Sequence, residues 1–315
     1  MLQIFSVTKA IDFLKHAKVI SLLSVILVVG SLLSLGVKGI NWGLDFTGGT
    51  VVELEFSQQV DLIQLRSGLD ADEAEGAVVQ NFGSSRDVLI RLPVREEIKS
   101  DDQVSAVMEA ARSIDSNVIQ KRVEFVGPQV GKELAEQGGL AVIVALICIL
   151  IYVSFRFEWR LAMGSVAALA HDVIVTLGVF SILQLEFDLT VLAGLLTVVG
   201  YSLNDTIVVY DRVRENFLKM RKGGPNEVVN KSITQTMSRT IITTGTTLVV
   251  VIALFLKGGT MIHGFATALL CGIFVGTYSS IYVASFLAIK LGICREHMMP
   301  VEIEKEGADQ DAVMP

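Results

Sequence analysis

Six stretches of this chain carry no acidic or basic residue: 19–37, 139–155, 161–170, 189–204, 240–256 and 264–289. A hydrocarbon core about 30 Å thick is crossed by roughly 20 residues of α-helix, and each stretch reaches that length once a few flanking polar positions are added. A soluble core does not need six such runs, and the overall balance agrees. Of 315 residues, 51% are hydrophobic and 19% charged, with a mean hydropathy of +0.58. The expected fold is a polytopic α-helical membrane protein with six transmembrane helices, at 19–37, 139–155, 161–183, 189–210, 237–256 and 261–290, and one folded extracytoplasmic domain over 38–138. Lys9, Lys15 and Lys18 precede the first stretch as in a signal peptide, but that stretch is a full span without a small-x-small cleavage site, so it reads as an uncleaved anchor.

Basic residues near span ends set orientation. Lys9, Lys15 and Lys18 lie before the first span, Arg156 and Arg160 lie between the second and third, and Arg212, Arg214, Lys219, Arg221, Lys222 and Lys231 lie between the fourth and fifth. On the other side, 184–188 has no basic residue and the turn at Lys257 has one. Segments 1–18, 211–236 and 291–315 are therefore expected inside, with both termini cytoplasmic, and 38–138 outside. Segment 211–236 reads as a basic surface helix broken at Gly223, Gly224 and Pro225 and lying at headgroup level. The polar tail from Glu302 reads as disordered.

The net charge of −7 leaves no basic footprint for nucleic acid. Cys148, Cys271 and Cys294 lie in or beside apolar helices, which implies no disulfide framework. A phosphate-cradling loop ending in Lys-Ser/Thr and a metal-ligand spacing are both missing from the sequence, so no cofactor, no metal and no covalent catalysis are expected.

Within 38–138, short β-like and helix-like patterns alternate. Val52, Leu54 and Phe56 alternate with Val51, Glu53 and Glu55 over 50–57, and Leu62, Leu65 and Leu69 follow at helical spacing. Two β-like runs, 77–82 and 87–93, flank Gly83, Ser84 and Ser85 as a hairpin turn. Asp101 and Asp102 open an amphipathic helix carrying Val104, Val107, Met108 and Ala111, and 118–126 closes as a strand. The expected order is β-α-β-β-α-β, a ferredoxin-like α+β domain.

The ionisable residues inside the spans are the candidates for function: Asp172, Asp205 and Arg239. Each costs about 2.5 to 3.5 kcal/mol at mid-helix on insertion scales, so each needs an inward face and a partner or water. Tyr201, Asn204, Asp205 and Val208 share one side of the fourth helix, beside Gly200. Thr236, Thr240, Thr243 and Thr247 run beside Arg239 on the fifth, widened by Thr244 and Thr246. Two readings stand for Asp205 and Arg239: a static salt bridge locking two helices, or a proton relay through a hydroxyl stripe. Asp172 follows His171, and is either part of a relay or an inward carboxylate satisfied by neighbouring groups. Gly264, Ala268, Gly272, Gly276 and Ser280 recur every four positions on the sixth span and form a close-packing face.

Four motifs carry a resemblance. They are Gly43-Leu44-Asp45-Phe46-Thr47-Gly48-Gly49-Thr50 after the first span; Val126-Gly127-Pro128-Gln129-Val130-Gly131 before the second; Tyr201-Ser202-Leu203-Asn204-Asp205-Thr206-Ile207-Val208-Val209-Tyr210-Asp211-Arg212 in the fourth; and Asn230, Ser232, Arg239-Thr240 and Thr243-Thr244 leading into the fifth. In that order they resemble the SecF group of the SecD/SecF family, within the RND superfamily. The resemblance implies half of an RND-type bundle that pairs with SecD in the bacterial inner membrane and associates with SecYEG, often with YajC. It further implies use of the proton-motive force, after insertion of the preprotein by SecA, to promote its late translocation and release. Asp205 and Arg239 match the family's proton-coupling residues; the coupling ion, H⁺ or Na⁺, stays open, because a carboxylate with Asn204 and several threonines also suits Na⁺. The competing readings are a small-molecule or lipid exporter half of the RND group, and a structural scaffold of the translocon with Asp205 and Arg239 static.

Overall fold

The structure, a computed structural model, describes residues 11–69, 74, 76–82, 84–95, 98–220 and 222–298. In chain order the elements are α1 (Ala17–Val37), β1 (Asn41–Trp42), α2 (Leu44–Thr47), β2 (Gly49–Glu55), α3 (Leu62–Gly68), β3 (Val78–Phe82), β4 (Ser84–Leu92), α4 (Ser100–Ile114) and β5 (Ile119–Val126). Then follow α5 (Pro128–Arg156), α6 (Trp159–Leu183), β6 (Glu186–Phe187), α7 (Leu189–Lys219), α8 (Pro225–Lys257), α9 (Thr260–Ser279) and α10 (Ser285–Lys290). A π turn, Ser280–Ala284, joins α9 to α10 into one sixth rod.

Among the described residues six helices are long and apolar enough to cross a membrane: Phe13–Val37, Pro128–Arg156, Trp159–Leu183, Leu189–Lys219, Pro225–Lys257 and Met261–Lys290. They overrun the apolar stretches, because a helix needs backbone pairing and good ends rather than grease. Proline opens α5 and α8 at their first turns, where no N–H is required. Glu158 caps α6 through Arg160 N at 3.0 Å. The polar start of α5 carries Gln137 Nε2 donating to Glu133 Oε1 at 2.9 Å, one turn apart. One expectation is corrected here: 211–236 holds no surface helix of its own. Helix α7 runs on to Lys219 and α8 starts at Pro225, so Arg212, Arg214, Lys219 and Lys231 sit on the projecting ends of two spans. Residues 1–10 and the tail from Glu302 lie outside the described residues.

The bundle is built around α7, which packs against α6, α8 and α9, while α1 lies on α6. By contrast α1 and α5 leave most of their apolar side chains exposed, as helices facing lipid or another chain do.

The α/β domain is a four-stranded antiparallel sheet of order β3-β4-β2-β5, connected β-α-β-β-α-β. Val52, Leu54, Phe56, Val88, Ile90 and Leu92 pack on Leu65, Val107 and Ala111 of the two helices. Part of the second face is covered as well, since Leu44 of α2 packs on Val51 and Leu89. The hairpin is tighter than its sequence suggests: β4 already begins at Ser84, so Ser84 and Ser85 are strand rather than turn, and Gly83 lies outside the described residues.

Candidate functional site

Helix α6 brings Asp172 into the middle of the bundle, where it is 1% exposed. Its Oδ2 accepts from Ser202 Oγ of α7 at 2.5 Å and from Ser279 Oγ of α9 at 2.8 Å. The other oxygen faces His171 Nδ1 at 3.0 Å. Three spans therefore meet on one carboxylate. Beyond it the His171 ring lies 6.2 Å from that of Tyr278, whose hydroxyl bonds Ser24 Oγ and donates to Ile20 O on α1, each at 2.8 Å. Buried polar groups demand partners, and this network supplies them across four helices. His171 Nε2 and Thr176 Oγ1 are buried without one.

Asp205 sits one turn beyond Ser202 on α7 and is 2% exposed, yet its Oδ2 has no hydrogen-bond partner. Arg239 is exposed on α8, and among the described residues no ion pair joins the two side chains. The static salt bridge is thus not formed within this chain. Asn204 and Gly200 of α7 are exposed on the bundle surface, as is Thr246 of α8.

The threonine stripe also differs from a hydroxyl wire. Thr236, Thr243, Thr246 and Thr247 donate to carbonyls of their own helix, at 2.9 to 3.1 Å. Thr240 is buried. Cross-helix contact comes from Thr244, whose hydroxyl lies 3.3 Å from Tyr201 Oη and 3.4 Å from Thr277 Oγ1. A hydroxyl one turn from a helix carbonyl shares that acceptor with the backbone N–H, and only a facing partner draws it away.

The small residues of α9 lie along α7. A Cβ on Gly264 would meet Val191 Cγ2 at 2.8 Å, one on Gly272 would meet Val198 Cγ2 at 2.1 Å, and one on Gly276 would meet Ser202 Cβ at 3.0 Å. These positions bring α9 close enough for Ser279 to reach Asp172. Ser279 was not singled out by the sequence; its only signal is its place in the run Thr277-Tyr278-Ser279-Ser280.

The motif positions Asp45, Gly48, Gly49, Gly127 and Pro128 gather at the other end of α7, beneath the sheet. Asp45 Oδ2 accepts from Leu189 N at 2.9 Å. Gly48 and Gly49 have φ of 68° and 123°, and a Cβ on Gly49 would stand 2.4 Å from Leu92 O, so this corner requires glycine. Gly127 and Pro128 start α5 beside it. Among the described residues no group of three or more His, Cys, Asp or Glu is placed to hold a metal ion.

The chain also matches known proteins along nearly its whole length. The family described as protein export membrane protein SecD/SecF, C-terminal, matches residues 106–293, and the SecD/SecF GG motif matches residues 33–60. The protein translocase subunit SecF of Vibrio alginolyticus is 59% identical over 312 residues, covering 99% of each chain. That of Escherichia coli O157:H7 is 50% identical over 310 residues, covering 98% of this chain and 96% of its own. The crystal structure of SecDF, a translocon-associated membrane protein from Thermus thermophilus, superposes with a TM-score of 0.81 at 39% identity, over 91% of this chain and 39% of that longer one. A SecDF structure in a super-membrane-facing form gives a TM-score of 0.68 at 37% identity, with the same coverage. Matched through its bundle, its glycine corner and nearly its whole length, the chain belongs to the SecF group of the SecD/SecF family of protein-export membrane proteins.

Proposed function

We propose that this subunit of the Sec export system works in the bacterial inner membrane as one half of an RND-type unit completed by SecD. The unit uses the proton-motive force to promote late translocation and release of preproteins through SecYEG. One observation carries the reading: a buried carboxylate, Asp205, has an oxygen without a partner beside a span surface bearing exposed Arg239 and Asn204. In hydrocarbon such a surface is unfavourable by several kcal/mol, roughly 2.5 to 3.5 for the arginine alone, so a second set of helices has to cover it. A SecDF chain that this chain matches over only 39% of its length supports a second half as that cover.

Protonation of Asp205 removes its charge near Arg239 and changes which packing of α7 and α8 is favoured. One charge moved across the field gains about 2.3 kcal/mol per 100 mV, enough to bias an equilibrium with a gap of a few kcal/mol. The two SecDF structures, matched at TM-scores of 0.81 and 0.68 over the same share of this chain, support a fold with more than one arrangement. Arg156, Arg160, Arg212, Arg214 and Lys219 gather at the bundle end away from the sheet, which supports cytoplasmic termini and a periplasmic, ferredoxin-like domain. SecA and YajC belong to the same reading as the motor that acts earlier and an accessory chain.

The test is preprotein export in proteoliposomes holding SecYEG, SecD and this chain, with ATP exhausted and a pH or a sodium gradient imposed. Export driven by the pH gradient is expected to vanish in Asp205→Asn. Undiminished export by the variant sinks the reading, and export that follows only the sodium gradient replaces the proton by Na⁺.

A further inference from the structure

Segment 43–48 belongs to neither the bundle nor the sheet, and it touches both. Helix α7 begins with two carboxylates on its free N–H groups: its own Asp188, on Val191 N at 2.8 Å, and Asp45, on Leu189 N at 2.9 Å. Carboxylates are favoured at this positive end of a helix, and the second one comes from a position 144 residues away. The flanks of Asp45 are fastened too. Gly43 N donates to Phe187 O at 2.9 Å, and β1 pairs with β6 in parallel, Asn41 opposite Glu186 and Trp42 opposite Phe187. Trp42, Phe46 and Phe187 pack with ring centroids 5.5 to 6.1 Å apart.

The sheet joins the same knot through Arg91 of β4, whose guanidinium donates to Trp42 O at 2.8 Å and pairs with Glu186 Oε1 at 2.7 Å. Beneath it, a Cβ on Gly131 of α5 would stand 2.9 Å from Gly48 N, and Gly49 begins β2. The α/β domain therefore has a hydrogen-bonded handle on the first residue of the helix that carries Asp205.

We propose that Asp45 is a positioning residue that clamps the α/β domain to the outer end of α7, so that a displacement at either is passed to the other. Its use in transport rests on the coupling reading above; its geometry does not.

The test uses the full chain with SecD in proteoliposomes, its three cysteines replaced by alanine, and spin labels at Ser116→Cys on the domain and Met261→Cys at the outer end of α9. With Asp45 present, one narrow distance is expected. Asp45→Ala loses it and gives a broad distribution, whereas Asp45→Asn, whose amide oxygen still accepts from Leu189 N, keeps it. Leu189→Pro removes the donor at a helix position that tolerates proline, and also broadens the distribution. Distributions as narrow as the parent's in Asp45→Ala, or in Leu189→Pro should the alanine variant fail to insert, overturn the clamp. Asp205→Asn is the separate arm. A mean distance that does not shift on that change sinks proton coupling alone, while the clamp still stands or falls on the widths.

Discussion

Ser202 of α7 donates to Asp172 Oδ2 of α6 across 2.5 Å, one turn before the same helix presents Asp205. Two carboxylates thus share a neighbourhood and differ in company. Asp172 is enclosed by two seryl hydroxyls and an imidazole, whereas Asp205 keeps an oxygen open. The first has the makings of a structural tie and the second of a site that something else completes.

Removing the tie is expected to be expensive. Asp172→Ala strands Ser202, Ser279 and His171 Nδ1 in the bundle and is predicted to destabilise it by about 3 kcal/mol or more, against about 1 kcal/mol for Ser279→Ala. Thermal unfolding of the detergent-solubilised chain measures both, and equal small losses would count against the tie.

Gly272 sets the approach of α9 to α7. Gly272→Val places its Cβ 2.1 Å from Val198 Cγ2, so the helices must part. The predicted loss is about 1 to 3 kcal/mol, with most of it recovered in Gly272→Val/Val198→Ala. A double-mutant cycle by thermal melting decides; additive losses contradict the contact.

Arg239, exposed on a span, predicts an effect that depends on the company of the chain. Arg239→Leu relieves about 2.5 to 3.5 kcal/mol of unfavourable exposure to lipid and is expected to raise the membrane yield of the chain expressed without SecD. Co-expressed, the same change is expected to weaken copurification with SecD. Equal yields of variant and parent without SecD would mean that Arg239 already has its cover.

Acid should loosen the α/β domain through Asp115. Its carboxylate accepts from Ser57 Oγ at 2.5 Å, Ser57 N at 2.7 Å and Asn117 N at 2.9 Å, which holds its pKa below the ordinary 3.8. Because the folded value is the lower one, the stabilisation is complete above the unfolded value. It is lost as pH falls below the unfolded value, about 3.9, and through the folded value beneath it. Hydrogen exchange at β2 and β5 amides across that range is expected to accelerate in the parent and to change less in Asp115→Asn. An identical acid profile would exclude Asp115 as the cause.

Much of the architecture is legible in the residues. Six charge-free stretches dictate six spans, and the alternation of Val52, Leu54 and Phe56 marks the buried face of a strand. What a single sequence hides is the partner at a distance. Asp45 stands out as a motif residue, but nothing near it says that its acceptor oxygen belongs to Leu189 N. Ser279 is one hydroxyl among several small residues, and only the packing of α9 on α7 aims it at Asp172. The threonines near Arg239 look like a path by their spacing. Their hydroxyls turn back to their own helix because those carbonyls are always within reach, while a second helix is not.

Helix α7 is unbroken from Leu189 to Lys219, a rod of about 45 Å at 1.5 Å per residue. Such a rod is longer than the oily layer it traverses, about 30 Å, so its two tips stand in different waters. One tip is gripped beneath the sheet by Asp45; the other is knotted to α8 through Asn216, which donates to Ser232 Oγ and Gln235 Oε1. With no joint between the grips, a tilt of this rod at one shore is carried to the other.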